Sequence, residues 1–211
     1  MSISGDAAAA ADKEPRTERG RKTVRKLIDA AAAEFGERGF HDAAITGITQ
    51  RAGVALGSFY TYFNSKEEVF RALVREMSRA TRAHVAEAVK EARDRISAER
   101  LGLEAFIAFA REHPELYRIV EEAQFVAPDA YRDHYLSFVE AYRRNLERAR
   151  SRLEISGGSG DADETDEARA WALIGMSVFL GMRYGVWEQK PSPKRVADIA
   201  IEMVSEGLRR R

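Results

Sequence analysis

The chain has 211 residues, enough for one large domain or a small domain joined to a larger one, and enough to bury a substantial core. Its 34 basic side chains balance 34 acidic ones, so net charge points to no nucleic-acid partner and any such sign has to be local. With no cysteine, disulfides, thiol nucleophiles and cysteine-based zinc sites are excluded together.

The N-terminus has five consecutive alanines but neither a positive start nor a leucine-rich stretch, so it does not read as a signal peptide. Residues 1–18 are small, polar and aperiodic, and are expected to be a disordered arm. Helical spacing begins with Val24, Leu27, Ile28, Ala31 and Phe35, and Gly39 ends it. A short helix over 44–52 follows, with Ile45, Ile48 and Ala52 on one face. Gly53 supplies a turn, and a second short helix fits 55–62. Ser65 to Glu68 reads as a capping box, opening a helical region that runs to about Arg95.

Ser97 is expected to open the next helix, through Glu112. Pro114 and Pro128 each mark a first helical position, of helices ending near Phe125 and Ile155. Ser156 to Asp166 reads as a flexible acidic loop. A helix over 165–188 follows, then a last one capped by Ser192 with Pro193 first. There Val196, Ile199, Ala200, Met203, Val204, Gly207 and Leu208 make one apolar stripe. No strand pattern survives, so the fold class is all-α. The longest apolar stretch, Ala170 to Met182, has 13 residues, short of the roughly 20 a membrane span needs; no membrane partner is expected.

A short helix, a glycine turn and a second short helix make a helix-turn-helix, whose second helix enters the DNA major groove. Phe59 and Phe63, four apart, would pack inward against Ile48 and the first helix. Ser58, Tyr60 and Tyr62 would offer hydroxyls outward for phosphates. Gly57 would let the helix approach the groove closely. From Ala43 to Lys66 there is no acidic residue, and Lys13 to Lys26 carries seven Lys/Arg against two Glu, a balance that suits a polyanion. The alternative is a helical hairpin whose rings merely fill a core.

Residues from about Arg21 to Phe70, with "AAAAEFGERGF" and "ITQRAGVALGSFYTYFNSKEEVF", resemble the N-terminal domain of the TetR (tetracycline-repressor) family of bacterial regulators. The resemblance implies a three-helix helix-turn-helix domain over about 19–66. A helical bundle for ligand binding and dimerisation would follow over 67–211. It implies a cytoplasmic, nucleoid-associated homodimer on a palindromic double-stranded DNA operator, probing each major groove with one helix. By matching positions, Thr46 would lie near DNA, Leu56, Gly57 and Ser58 would face base edges, and Tyr60, Tyr62 and Lys66 would hold phosphates. The sequence departs from the family pattern in several places. Ala43 and Ala44 stand where Thr or Ser is common, leaving Asp42 as the expected N-cap. Thr46 occupies a position often basic, and Gly47 one often acidic. Ala55 and Leu56 replace a frequent Ser-Lys pair, so Leu56 could only make apolar contact with a thymine methyl.

The helix over 165–188 carries two opposed stripes. Ala170, Ile174, Ser177, Gly181 and Gly185 form a small, flat one. Together with Val196, Ile199, Ala200, Met203 and Val204 it is expected to be the dimer interface, packing within the monomer being the alternative. Met176, Phe179, Arg183 and Trp187 would face an interior pocket. Opposite them would lie Phe106, Phe109, Tyr117, Phe125, Tyr135 and Phe138, with Tyr131 and Tyr142 on the same stripe. The pocket would take a small hydrophobic or acyl-type effector; fatty-acid or aromatic acyl-CoA, a drug-like cation and a lipid all remain open. Arg183 would bind an anionic part of it or else pair with Glu121 or Glu122.

No enzyme is expected. Thr81, Ala110 and Tyr131 stand three before His84, His113 and His134, so the E-x-x-H pairs of di-iron bundles are absent. No two histidines are spaced for a metal, and there is no nucleophile elbow, phosphate loop or dinucleotide fingerprint. No cofactor or metal is expected. A helical small-molecule-binding or enzymatic bundle without DNA function is the competing class.

Overall fold

Thr17 opens the first helix: its hydroxyl accepts from the Gly20 N–H at 3.1 Å. Glu18 in the first turn meets the positive end of the peptide dipoles. The computed structural model describes residues 15–157 and 161–206. Most of the expected disordered arm, Gly158 to Gly160, and Gly207 and Leu208 of the last stripe lie outside the described residues. Helix α1 (Glu18–Asp42) buries Leu27, Ala31 and Phe35 completely. Helical geometry fails at Gly39, whose φ of 77° is one that favours glycine.

Two compact units divide the chain: the described residues through Glu76 with Arg118–Tyr131, and Met77–Tyr117 with the described residues from Arg132 onward. In the first, α2 (Ile45–Ala52) and α3 (Leu56–Tyr62) follow α1. Asp42 does not cap α2. Ala43 and Ala44 are both extended, so the N-cap falls on Ala44 and no side chain serves it. Phe70 meets Phe35 and Phe40 edge-on, both at 5.1 Å between ring centroids, an arrangement aromatic quadrupoles favour.

The broken end of α1 is held from two elements of that unit. Arg118 and Glu122 belong to α6 (Glu115–Val126). Arg118 donates to the Gly36 and Glu37 carbonyls at 3.0 and 3.1 Å, and Glu122 accepts from the Phe40 N–H at 2.8 Å. A Cβ on Gly39 would come within 2.6 Å of Arg118 Nη2 and 2.7 Å of Glu122 Oε1. From the first turn of α4 (Lys66–Ala88), Lys66 Nζ donates to the carbonyls of Phe40, His41 and Ala43 at 2.6, 3.2 and 2.8 Å. Its ammonium also lies over the Phe40 ring at 4.5 Å. Helix ends leave carbonyls unmatched, and cations are the favourable partners there.

Ser65 accepts from the Glu68 N–H at 3.2 Å as the capping box requires, but the Glu68 carboxylate reaches the Asn64 N–H, at 2.6 Å. Helix α4 ends at Ala88, seven residues short of Arg95. The cap of α5 (Arg95–Glu112) is Asp94, which accepts from the Ser97 N–H at 2.8 Å; Ser97 is the reciprocal partner three residues in, not the cap. Helix α7 (Pro128–Ser151) begins on its proline but stops before Ile155. Asp161 caps α8 (Ala162–Gly181) through the Asp163 and Glu164 N–H groups. A π turn, Met182–Trp187, continues α8, and α9 (Pro193–Glu206) starts with Ser192 accepting from the Arg195 N–H at 3.3 Å. Among the described residues there is no strand, and no helix is long and apolar enough to cross a membrane.

Among the described residues, two apolar clusters lie in the second unit. Leu103 and Ile107 of α5 meet Val196, Ala197 and Ala200 of α9. Val139 and Leu146 of α7 meet Ala170 and Ile174 of α8. Polar groups around the buried Glu99 link α5, α7 and α8. Arg95 donates to Glu99 at 2.5 Å, and Tyr142 hydrogen-bonds to Glu99 and Ser177. Burial pushes the Glu99 carboxyl up against the opposing pull of Arg95. His134 Nδ1 lies 2.6 Å from Ser78 Oγ. Its pKa is lowered to about 4, first by burial and then by the nearby Arg82.

Two stability measurements follow from these contacts. Lys66→Ala strips charged donors from three carbonyls, so urea unfolding should show a loss of about 2 kcal/mol; an unchanged midpoint would refute the capping role. The unfolded chain takes up a proton on His134 near pH 6.5, and the folded chain only near 4. The stability from keeping the ring neutral is therefore complete above about pH 6.5 and lost as pH falls toward 4. At about pH 5 the loss should be on the order of 2 kcal/mol, and His134→Gln should flatten that part of the profile.

Candidate nucleic-acid interface

The turn between α2 and α3 rests on Gly53, at φ 65° and ψ 37°, a left-handed conformation open to glycine. Its N–H closes on the Gln50 carbonyl at 3.2 Å and the Val54 N–H on that of Thr49 at 3.1 Å. The inner face holds Ile48, Ala52, Phe59 and Phe63, all buried, with the two phenylalanine rings 5.6 Å apart. Thr46, Leu56, Gly57 and Tyr60 lie exposed, while Ser58 and Tyr62 are half-buried. A Cβ added to Gly57 would meet nothing within 4 Å, so space lies open above the start of α3. A Cβ on Gly20 would come within 3.1 Å of the Tyr62 hydroxyl, which sets that phenol against the first turn of α1.

The two cations between Ala43 and Lys66 are both engaged inside the domain. Lys66, expected to hold a phosphate, is turned instead to the carbonyls at the end of α1. Arg51 forks between two acids of α1: Nε donates to Glu34 at 2.7 Å, and the terminal nitrogens donate to Glu37. These hydrogen bonds, Glu37's first, raise the guanidinium pKa. Glu34 is 3% exposed and also pairs with Arg38 at 3.2 Å. Its carboxylate lies where a side chain on Gly47 would stand, so a Cβ there would collide with it. Sequence reasoning missed this lock. Its signal was a glycine at a position commonly acidic, with an acid at the inward spacing of α1. The outer face of α2 and α3 is thereby left nearly neutral. Exposed positive charge sits instead on the first turns of α1, at Arg19, Arg21 and Lys26, with Lys22 paired to Glu18 and Arg25 to Asp29 and Glu76.

In the second unit the two faces of α8 lie opposite to expectation. Ala170, Ile174, Gly181 and Gly185 are buried within the protomer, as are Val196 and Ala200 of α9. A Cβ on Gly181 would collide with the Tyr117 hydroxyl and come within 2.6 Å of the Phe106 ring. One on Gly185 would come within 2.8 Å of the Ala110 Cβ. The small stripe thus admits α5 and the start of α6 of the same subunit, and Tyr117 donates to the Val178 carbonyl at 2.9 Å. Ser177 is half-buried and donates to the Leu173 carbonyl.

Of the large stripe, Phe179, Arg183 and Trp187 face out and Met176 faces in. Phe179 is 67% and Trp187 68% exposed, and Ile199, Met203 and Val204 of α9 are also exposed. Arg183 is exposed too, pairing with Glu188 at 2.5 Å, not with Glu121 or Glu122, and resting over the Tyr184 ring. It does not point into a pocket. Phe125, in the first unit, is 83% exposed and likewise lines no interior. Phe106, Phe109, Tyr117, Tyr135, Phe138 and Met176 are half-buried. Of these, Met176 packs on the α5–α9 core, and Tyr135 and Phe138 on the α7–α8 core. Phe109 lies between the rings of His84 and His113, at 5.0 and 4.5 Å.

Residues 27–73 match the family model for bacterial regulatory proteins of the tetR family. Among curated proteins, YdgC of Bacillus subtilis, an uncharacterized HTH-type transcriptional regulator, is 46% identical over 56 residues, 26% of this chain and 29% of that one. FasR of Mycolicibacterium smegmatis, an HTH-type transcriptional activator, is 31% identical over 101 residues, 48% of this chain and 46% of that one. The matched segment therefore spans less than half the length of either relative. The fold extends further. The transcriptional regulator FadR from Bacillus subtilis, solved in complex with stearoyl-CoA, superposes with a TM-score of 0.73 at 18% identity, over 88% of this chain and 99% of that one. Residues 27–73, which hold the helix-turn-helix, thus match the tetR family of bacterial regulatory proteins, and the chain shares the all-helical fold of FadR.

Proposed function

We propose that the protein is a ligand-responsive transcriptional repressor that binds a palindromic operator as a homodimer and is released by a small hydrophobic or acyl-type effector. The observation that carries the DNA-binding part is the outer face of α2 and α3. Leu56, Gly57 and Tyr60 stand exposed on a helix with open space before it, and no acid interrupts the segment. Leu56 would touch a thymine methyl, Ser58 a base edge, and Tyr60 and Thr46 the backbone. Tyr62 would lie beside a phosphate from its seat on α1, and the basic first turns of α1 would supply the charge that α3 lacks. Lys66 would act indirectly, by holding the end of α1.

The exposed apolar side chains of Phe179, Trp187, Ile199, Met203 and Val204 support self-association. A two-fold contact needs one self-complementary patch, and exposed apolar surface of this kind is what such patches are made from. FadR's complex with stearoyl-CoA supports an acyl-type effector, and the half-buried rings of Phe106, Phe109, Tyr135 and Phe138 would line its site. Effector release needs a ligand that favours one of two conformations.

Two experiments decide between this reading and a helical binding protein without DNA function. In gel shifts against the DNA upstream of the protein's own gene, Tyr60→Ala should weaken binding to every site, and Leu56→Ala should alter base preference. Affinity should fall steeply with salt. Wild-type protein that retards no fragment of that DNA would reject the DNA role. In size-exclusion chromatography with light scattering, Phe179→Glu combined with Ile199→Glu should convert a dimer to a folded monomer that no longer shifts DNA. A dimer that survives both charges would place the interface elsewhere.

A further inference from the structure

Arg82, on α4, is half-buried in the second unit. Its Nη1 donates to the Ser137 hydroxyl on α7, and its guanidinium lies over the Phe138 ring, 5.5 Å from the centroid. Ser137 is held in turn, donating to the His134 carbonyl at 2.7 Å. Among the described residues no carboxylate pairs with Arg82. Burial lowers its pKa first, and the positive charge of Arg79 lowers it further. His134 adjoins it, buried and neutral. Removing a cation from water without a counter-charge is costly, and the better-buried Arg95 and Arg150 each have a carboxylate partner.

We propose that the Arg82 guanidinium, set by Ser137 and Phe138, is the recognition point for the oxoanion head of an amphipathic effector, a carboxylate or a phosphate. This rests on the effector reading above and gives it a polar anchor in the place that Arg183 does not fill. The chemistry matches. A planar guanidinium donates in a fork to two oxygens, and its remaining donors are not taken by acids. Arg79 adds positive field, so an anion relieves a repulsion as well as making hydrogen bonds. The apolar body of the ligand would lie against the part of the Phe138 ring that its packing on Val139, Leu146, Ala170 and Ile174 leaves uncovered. An uncharged ligand of the same shape would gain only that apolar part.

The test uses the full-length protein and paired probes. Fluorescence titration with 8-anilinonaphthalene-1-sulfonate, an anionic amphiphile, is compared with N-phenyl-1-naphthylamine, which has the same rings and no charge. Arg82→Gln should weaken sulfonate binding by about tenfold and leave the neutral dye unchanged, while Arg82→Lys should restore part of the loss. Sulfonate affinity unchanged in Arg82→Gln, or equal losses for both dyes in either variant, would overturn the proposal. Stearate, stearoyl-CoA and stearyl alcohol are then titrated in the same proteins. Arg82-dependent binding of stearate assigns the anion as a carboxylate, and of stearoyl-CoA alone as a phosphate. If the dyes behave as expected and no stearyl probe binds, the acyl reading fails while the anion site stands.

Discussion

The end of α1 is the point from which the first unit is organised. Gly39 leaves helical geometry there, and the carbonyls and N–H groups that the break releases would be costly to bury unpaired. They are matched from two sides: Arg118 and Glu122 on α6, and Lys66 at the start of α4. The Phe35, Phe40 and Phe70 rings pack at the same place. One break thereby fixes where α2 begins and brings three segments, far apart in sequence, to a single residue. A tolerant helix end would leave α2 and α3 without a fixed support.

Much of this was legible in the residues. The periodicity of Leu27, Ala31 and Phe35, the stop at Gly39, the turn at Gly53 and the proline starts at Pro128 and Pro193 are all local signals, and the helices follow them. The errors arose where a local rule had competitors. Ser97 is a good cap, but Asp94 is a better acceptor three residues earlier, and the two close a reciprocal box. Lys66 lies in a family motif and was read as a phosphate ligand, because nothing in its neighbourhood along the chain shows carbonyls waiting 23 to 26 residues earlier. The Arg51–Glu34 pair over Gly47 spans 17 residues, and the inward spacing of Glu34 does not by itself name its partner.

The two faces of α8 show the limit of stripe analysis most plainly. Periodicity sorts residues into stripes but does not say which stripe is inward. Small residues mark close approach, and here the approaching helix is α5 of the same chain, with Tyr117 and Phe106 filling the space over Gly181. Most of the large residues were then free to face outward. The π turn after Gly181 belongs to the same packing, since it carries Gly185 against Ala110 where a Cβ would crowd it. The expected pocket was built on the large stripe, and Phe179, Arg183 and Trp187 of that stripe lie exposed instead.

The lock of Arg51 onto Glu34 and Glu37 bears on how such a protein would search a genome. Random sequence attracts a regulator through charge alone, and discrimination is the surplus that correct bases add to that background. A reading helix whose nearby cations are already occupied by its own domain contributes little to the background. On the proposed reading the background would come from the first turns of α1, and α3 would add the fit at the bases.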